Sequence, residues 1–82
     1  MKLVEITREE VINNCEKYFE NGQQFFVKIK HIKELRTAYL YHFVEWDDIL
    51  KQEMWSYRFK YDDDEDLDQL DEGFIQHIYI IK

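Results

Sequence analysis

The residues most able to do chemistry in this chain are carboxylates. Eight of the eleven positions from Asp62 to Glu72 are acidic: Asp62, Asp63, Asp64, Glu65, Asp66, Asp68, Asp71 and Glu72. Three chemistries draw on such a run. Calcium binding is the first, and Asp62, Asp64 and Asp66 alternate as an EF-hand loop requires. But Leu67 stands at the sixth position, where the turn needs glycine, and Gly73 stands at the twelfth, where a bidentate Glu is needed. Only loose cation binding is left open to the run. Acid–base catalysis is the second. It needs two carboxylates held in different environments, and here eight neighbours compete with none singled out. The third is electrostatic docking. DNA is a dense line of negative charge that its partners meet with Lys/Arg grooves, and fixed carboxylates can fill such a groove. In extended chain, alternate Asp side chains would stand about 6.6 Å apart, comparable in scale to successive phosphates. In a helix they would ring the exposed surface. Either form steers a basic partner. A solvated surface that only aids solubility would use the same residues.

The other reactive groups are scattered. His31, His42 and His77 show no metal-ligand spacing with one another or with Cys15. Cys15 falls on an apolar helical stripe, as a small core residue would. There is no glycine-rich phosphate loop and no nucleophile elbow. A chain of 82 residues has little room to close a pocket around a substrate. The expectation is a non-enzymatic protein without a metal or cofactor.

Two further groups suit binding. Lys28, Lys30, Lys33 and Arg36 form a positive segment, readable as a nucleic-acid patch, as the polar face of a strand, or as a partner for the chain's own acids. The net charge of −7 argues against general affinity for nucleic acid, so no direct contact with it is expected. Trp55, Tyr57, Phe59 and Tyr61 form an aromatic ladder directly before the acidic run. Its default place is the core. Any exposed part of it, Tyr61, Trp55 or Tyr57, would anchor an interface, because Trp and Tyr dominate binding hot spots.

The charge is local. Outside the run there are 18 − 8 = 10 acidic residues against 11 basic ones. The chain is 45% apolar and 17% aromatic, with no proline and two glycines, which fits one folded domain over residues 1–82 and not a disordered tail. The single cysteine forms no internal disulfide, the N-terminus lacks a signal-peptide pattern, and no stretch approaches a membrane span. A cytoplasmic protein is expected.

The periodicity supplies the elements. Lys2–Ile6 reads as a short strand or an extended lead-in. Thr7 with Glu10 three residues later has capping-box spacing, and Val11, Ile12, Cys15 and Phe19 form an apolar stripe, so a helix is predicted over about 8–20 with Gly22 beyond its end. Gln24–Ile32 alternates as a strand. Arg36–Trp46 is apolar on both faces, as a central strand would be. Asp47–Gln52 reads as a loop or a short helix, and Glu53–Tyr61 alternates cleanly. In the acidic run, Leu67, Leu70 and Phe74 permit a short helix capped by Asp62 or Asp63, at the cost of like-charge crowding. Phe74–Ile81 is β-prone and apolar on both sides, a risky edge unless it is covered or paired. The expected fold is α+β: an antiparallel sheet of about four strands covered by the N-terminal helix, with a short acidic second helix as an option, in the order (β)-α-β-β-β-α-β.

The size, the ITREEV helix opening (Ile6–Val11), the Lys/Tyr/Glu-rich composition and the dense acidic run together resemble small phage-borne proteins of low-GC bacteria. Among these the chain is similar to acidic anti-CRISPR inhibitors and other DNA mimics. The resemblance covers the composition of the whole chain, with functional weight on Asp62–Glu72 alone. It implies a cytoplasmic protein of a bacterial host that blocks the nucleic-acid groove of a basic effector, nuclease, or repair or transcription factor. The rival reading from the residues is a structural or adaptor module, monomer or homodimer, whose acidic segment is only solvated surface.

Overall fold

The computed structural model describes residues 1–62 and 67–82. Its strands are β1 (Leu3–Ile6), β2 (Gln24–Ile29), β3 (Arg36–Asp47), β4 (Gln52–Tyr61), β5 (Leu67–Gln69) and β6 (Ile75–Ile81), and its helices are α1 (Arg8–Asn13) and α2 (Cys15–Glu20). All six strands join one antiparallel sheet in the order β1-β6-β2-β3-β4-β5. With 54% of the described residues in strands and 15% in helices, the described structure is mostly sheet. This corrects the expectation of a four-stranded α+β fold covered by a helix.

Three local causes account for the difference. Thr7 caps α1 as its spacing predicts, its Oγ1 accepting from Glu10 N–H at 3.1 Å. The helix then breaks at Asn14, whose side-chain amide and backbone N–H both donate to the Glu10 carbonyl. An asparagine amide competes in this way with helix continuation. Two six-residue helices therefore replace one long one, and they cover only part of a sheet face. Second, the described part of the acidic segment after residue 66 is not helical. Leu67–Gln69 pairs with β4 as an edge strand, which turns alternate side chains to opposite faces and avoids stacking like charges at helical spacing. Third, Leu3–Ile6 is a true strand, paired with Ile78–Ile81. The last strand is thus hydrogen-bonded on both edges, between β1 and β2, which explains its apolar character on both sides.

Cross-strand register divides the sheet into two faces. Phe25, Ala38 and Tyr61 align in one row, and Leu40 opposes Phe59. These residues, with Val11, Val27, Ile78 and Ile80, form the buried core on the helix face. Phe25 stacks edge-on against Tyr18 at 5.4 Å and Phe59 at 5.5 Å. The β3–β4 hairpin outruns its neighbours. β2 reaches β3 only as far as Tyr39, and β5 reaches β4 only at Arg58–Lys60. Beyond those points the hairpin is a two-stranded arm, and the molecule is 45 Å along its longest axis. Its tip is a four-residue loop in which Asp47 Oδ1 accepts from Ile49 and Leu50 N–H, both at 2.9 Å. Among the described residues no helix is long and apolar enough to cross a membrane.

Candidate functional site

The site grows from the base of the arm on the helix face. Hairpin register sets His42 opposite Tyr57 and Val44 opposite Trp55. With the edge of α2 they gather Phe19, His42, Trp55 and Tyr57 into one aromatic group. Tyr57 stands 5.3 Å from both Phe19 and His42, and Trp55 stands 5.2 Å from His42. Among the described residues no core packs over Trp55 or Phe19. Trp55 is 60% exposed and Phe19 40%.

Trp55 and Tyr57 form the shared wall of two open grooves. One, of about 440 Å³, is lined by Ile12, Cys15, Leu70 and Asp71 among others. The other, of about 390 Å³, is lined by Cys15, Glu16, Lys17 and Glu20 among others. Arg8 fixes the near end of the first. Its guanidinium donates to the carbonyls of Ile75 at 2.7 Å and Asp71 at 3.4 Å, tying the β5–β6 crossover to α1. The charged side chains lining the two grooves are Glu16, Glu20 and Asp71 with Lys17 and Arg58, a carboxylate excess of one. Partial burial, then Glu16, Cys15 and Glu20, hold the Tyr57 hydroxyl above the usual tyrosine range.

The expected binding residues do not all meet here. Trp55, Tyr57 and Asp71 converge. Tyr61 does not, since it is 2% exposed and its ring belongs to the core under Arg36. Burial first and then Asp68 push the Tyr61 hydroxyl well above the ordinary tyrosine range, although that hydroxyl makes no hydrogen bond of good geometry among the described residues. Asp68 opposes Phe59 across the β4–β5 pair, which sets it on the core side of the sheet. Asp62 donates its N–H to Thr37 at the body end of the hairpin, seven residues along β4 from Trp55, or roughly 23 Å of strand. Glu72 is half-buried in the turn before β6. Asp63, Asp64, Glu65 and Asp66 lie outside the described residues.

Phe19, His42, Glu16 and Glu20 escaped the sequence reading. The first two were reachable: Cys15 and Phe19 share a stripe, and pairing the alternating segments across a four-residue loop sets His42 beside Tyr57. Cys15 lines the grooves half-buried and is not sealed in the core. His77 lies elsewhere, its Nδ1 2.7 Å from the Glu5 carboxylate. Among the described residues no group of three His, Cys, Asp or Glu side chains is placed to hold a metal ion.

No family model matches the chain, and comparisons with curated proteins and with solved structures returned no match.

Proposed function

We propose that this chain is a non-enzymatic binding protein that docks on the basic surface of a nucleic-acid-handling protein, in the cytoplasm of a bacterial host, and inhibits it by occupying the groove where nucleic acid would lie. The observation that carries the reading is Trp55. It is a large, mostly exposed aromatic at the meeting of two grooves lined in part by Glu16, Glu20 and Asp71. Such a residue gives a partner an apolar anchor, while Glu16, Glu20 and Asp71 select a cationic surround. The run from Asp62 to Glu72 supplies longer-range attraction, which raises the association rate more than the final affinity.

The test is affinity capture with wild-type and Trp55→Ala proteins in parallel at low salt. A basic protein held by the wild type, released by salt, displaced by duplex DNA and lost with Trp55→Ala supports the reading. Equal retention by both proteins would sink it.

The arm favours a second reading, an adaptor that self-associates. Trp46 is 59% exposed and Ile49 at the tip 91%, and among the described residues both outer edges of the arm are unpaired. A two-stranded ribbon alone is marginal in water, and a second copy could cover it. Sizing in high salt separates the readings, because an arm-paired dimer persists there.

A further inference from the structure

The larger groove beside Trp55 lies against a strand edge, not a strand face. Trp55, Ser56, Tyr57 and Arg58 all line it. Successive side chains of a strand point to opposite faces, so four consecutive residues meet one groove only along the edge of β4. β5 holds this edge at Arg58–Lys60 and then leaves it. Gln69 and Leu70, where it departs, line the same groove. The groove therefore continues the track that β5 follows.

The backbone along that track is unpaired. Asp62 N–H donates to the Thr37 carbonyl at 3.1 Å, and the β3–β4 register runs on to Asp47–Gln52 without a shift. In an antiparallel ladder, hydrogen-bonded pairs alternate with unbonded ones. The even-numbered residues of β4 therefore bond with β3, and Glu53, Trp55 and Tyr57 turn N–H and carbonyl outward. Phe59, the next in this series, faces Asp68 of β5. Among the described residues nothing pairs with Glu53, Trp55 or Tyr57 on that side. Sheet edges are blunted by lysine, proline or a bulge. From Glu53 to Tyr57 there is none of these, and Glu53 is the sole charge.

We propose that the free edge of β4 takes up an extended segment of the partner protein as an added antiparallel strand. This rests on the reading of the Trp55 groove as a docking site and specifies its ligand: a peptide strand with an apolar side chain opposite Tyr57. Main-chain bonds to Trp55 and Tyr57 give affinity, and pockets for alternate side chains give specificity. Tyr57 shares the core face of β4 with Phe59, so a side chain opposite it faces the wall of Ile12, Cys15 and Leu70. Along the edge itself the charges balance, with Asp71 and Arg58 at one end and Glu53 and Lys51 at the other. The open backbone selects the ligand, because outward N–H and carbonyl groups at strand spacing are matched by another strand. A second copy fits this edge poorly. Its Trp55 stands opposite Tyr57 only if three residues pair, since Met54 would then meet the other copy's Arg58, which β5 already holds. Pairing five residues about Trp55 instead sets its Glu53 opposite Tyr57, a carboxylate against an apolar wall. A foreign strand meets neither limit.

The probe is a displayed library of random short peptides, selected on the folded full chain, with exchange of the chain's backbone amides followed by NMR. In the free chain the Trp55 and Tyr57 amides should exchange faster than those of Met54 and Ser56, which are bonded to β3. A selected peptide should carry an apolar residue at its centre and should protect Trp55 and Tyr57. Methylating its amide nitrogens one at a time should show a period of two. Alternate methylations each weaken binding roughly fivefold or more, the scale of one lost backbone hydrogen bond, and those between change little. Methylation effects without that period, protection that falls elsewhere, or selection of no peptide overturns the proposal. So does protection of Trp55 and Tyr57 in a free chain with the mass of a dimer, which gives the edge to a second copy. The groove reading fails separately: it falls if a captured basic protein binds Trp55→Ala as well as wild type, whatever the peptides do.

Discussion

If the arm projects beyond the core, two aromatic residues four apart on one strand must differ sharply in what their loss costs. Phe59 is fully buried, opposite Leu40 and edge-on to Phe25. Phe59→Ala leaves a cavity that neighbours on both sides cannot fill, and about 3–5 kcal/mol is expected. A domain of this size holds only roughly 4–12 kcal/mol in total, so the variant should stand near the edge of folding. Trp55 lies on the same face, but 60% of it meets solvent. Of roughly 250 Å² of side-chain surface, about 100 Å² is covered, worth about 2.5 kcal/mol at ~25 cal/mol per Å². Residual compactness of the denatured chain lowers that to roughly 2 kcal/mol. Urea denaturation of wild type, Phe59→Ala and Trp55→Ala, followed by circular dichroism, gives the two losses, with unchanged slopes confirming a common transition. A gap of at least about 1 kcal/mol between the variants is expected from the two burial terms. If Trp55→Ala costs as much as Phe59→Ala, the arm is packed against something in solution and the exposed-anchor reasoning fails.

Three further outcomes follow from the geometry. Gly22 lies beyond α2 at φ +64, with the Gly22 and Gln23 N–H groups closing on the Phe19 and Tyr18 carbonyls; a Cβ there meets nothing within 4 Å. Gly22→Ala should therefore cost about 1–2 kcal/mol from backbone conformation alone, read as a lowered urea midpoint. Asp47→Ala removes both tip bonds and should speed amide exchange along the arm, while the slowest-exchanging core amides keep their protection. Tyr61 has its hydroxyl pKa raised by burial and by Asp68. The folded state holds that proton more tightly than the unfolded one, so the contribution is intact below the ordinary tyrosine pKa and is lost as pH rises above it. Tyr61→Phe should match wild type at neutral pH and outlast it in melts above about pH 10.

Elements with clean periodicity were legible in the sequence. The Thr7 cap, the alternation of Glu53–Tyr61, and the central place of Arg36–Trp46 follow from spacing, as does the alternation read over Gln24–Ile32, which the strand keeps only as far as Ile29. The departures have particular causes. Asn14 broke a helix whose apolar stripe runs through it unchanged, because a single side-chain amide can outbid continuation. Leu67 and Leu70 suit a helix by spacing, yet Leu67 pairs with Lys60 and Asp68 with Phe59, partners available only once β4 had a free edge. The last strand's two apolar faces look the same for an exposed edge and a sheet centre, and only the insertion of β6 between β1 and β2 decides. The site was half legible. Trp55, Tyr57 and Asp71 stood among the expected binders, but they were tied to the acidic run by sequence adjacency, which in a strand means distance. Their real neighbours, Phe19, His42, Glu16 and Glu20, come through register and helix placement.

Docking through the Trp55 groove is the central claim, and one comparison tests it most directly. The basic protein retained at low salt is purified, and its affinity for wild type and for Trp55→Ala is measured by calorimetry, with and without duplex DNA. The account predicts that Trp55→Ala loses at least tenfold in affinity, about 1.4 kcal/mol, and that DNA competes with the wild type for the same partner. Undiminished affinity of the folded Trp55→Ala protein, or simultaneous binding of DNA and this chain to the partner, would contradict it.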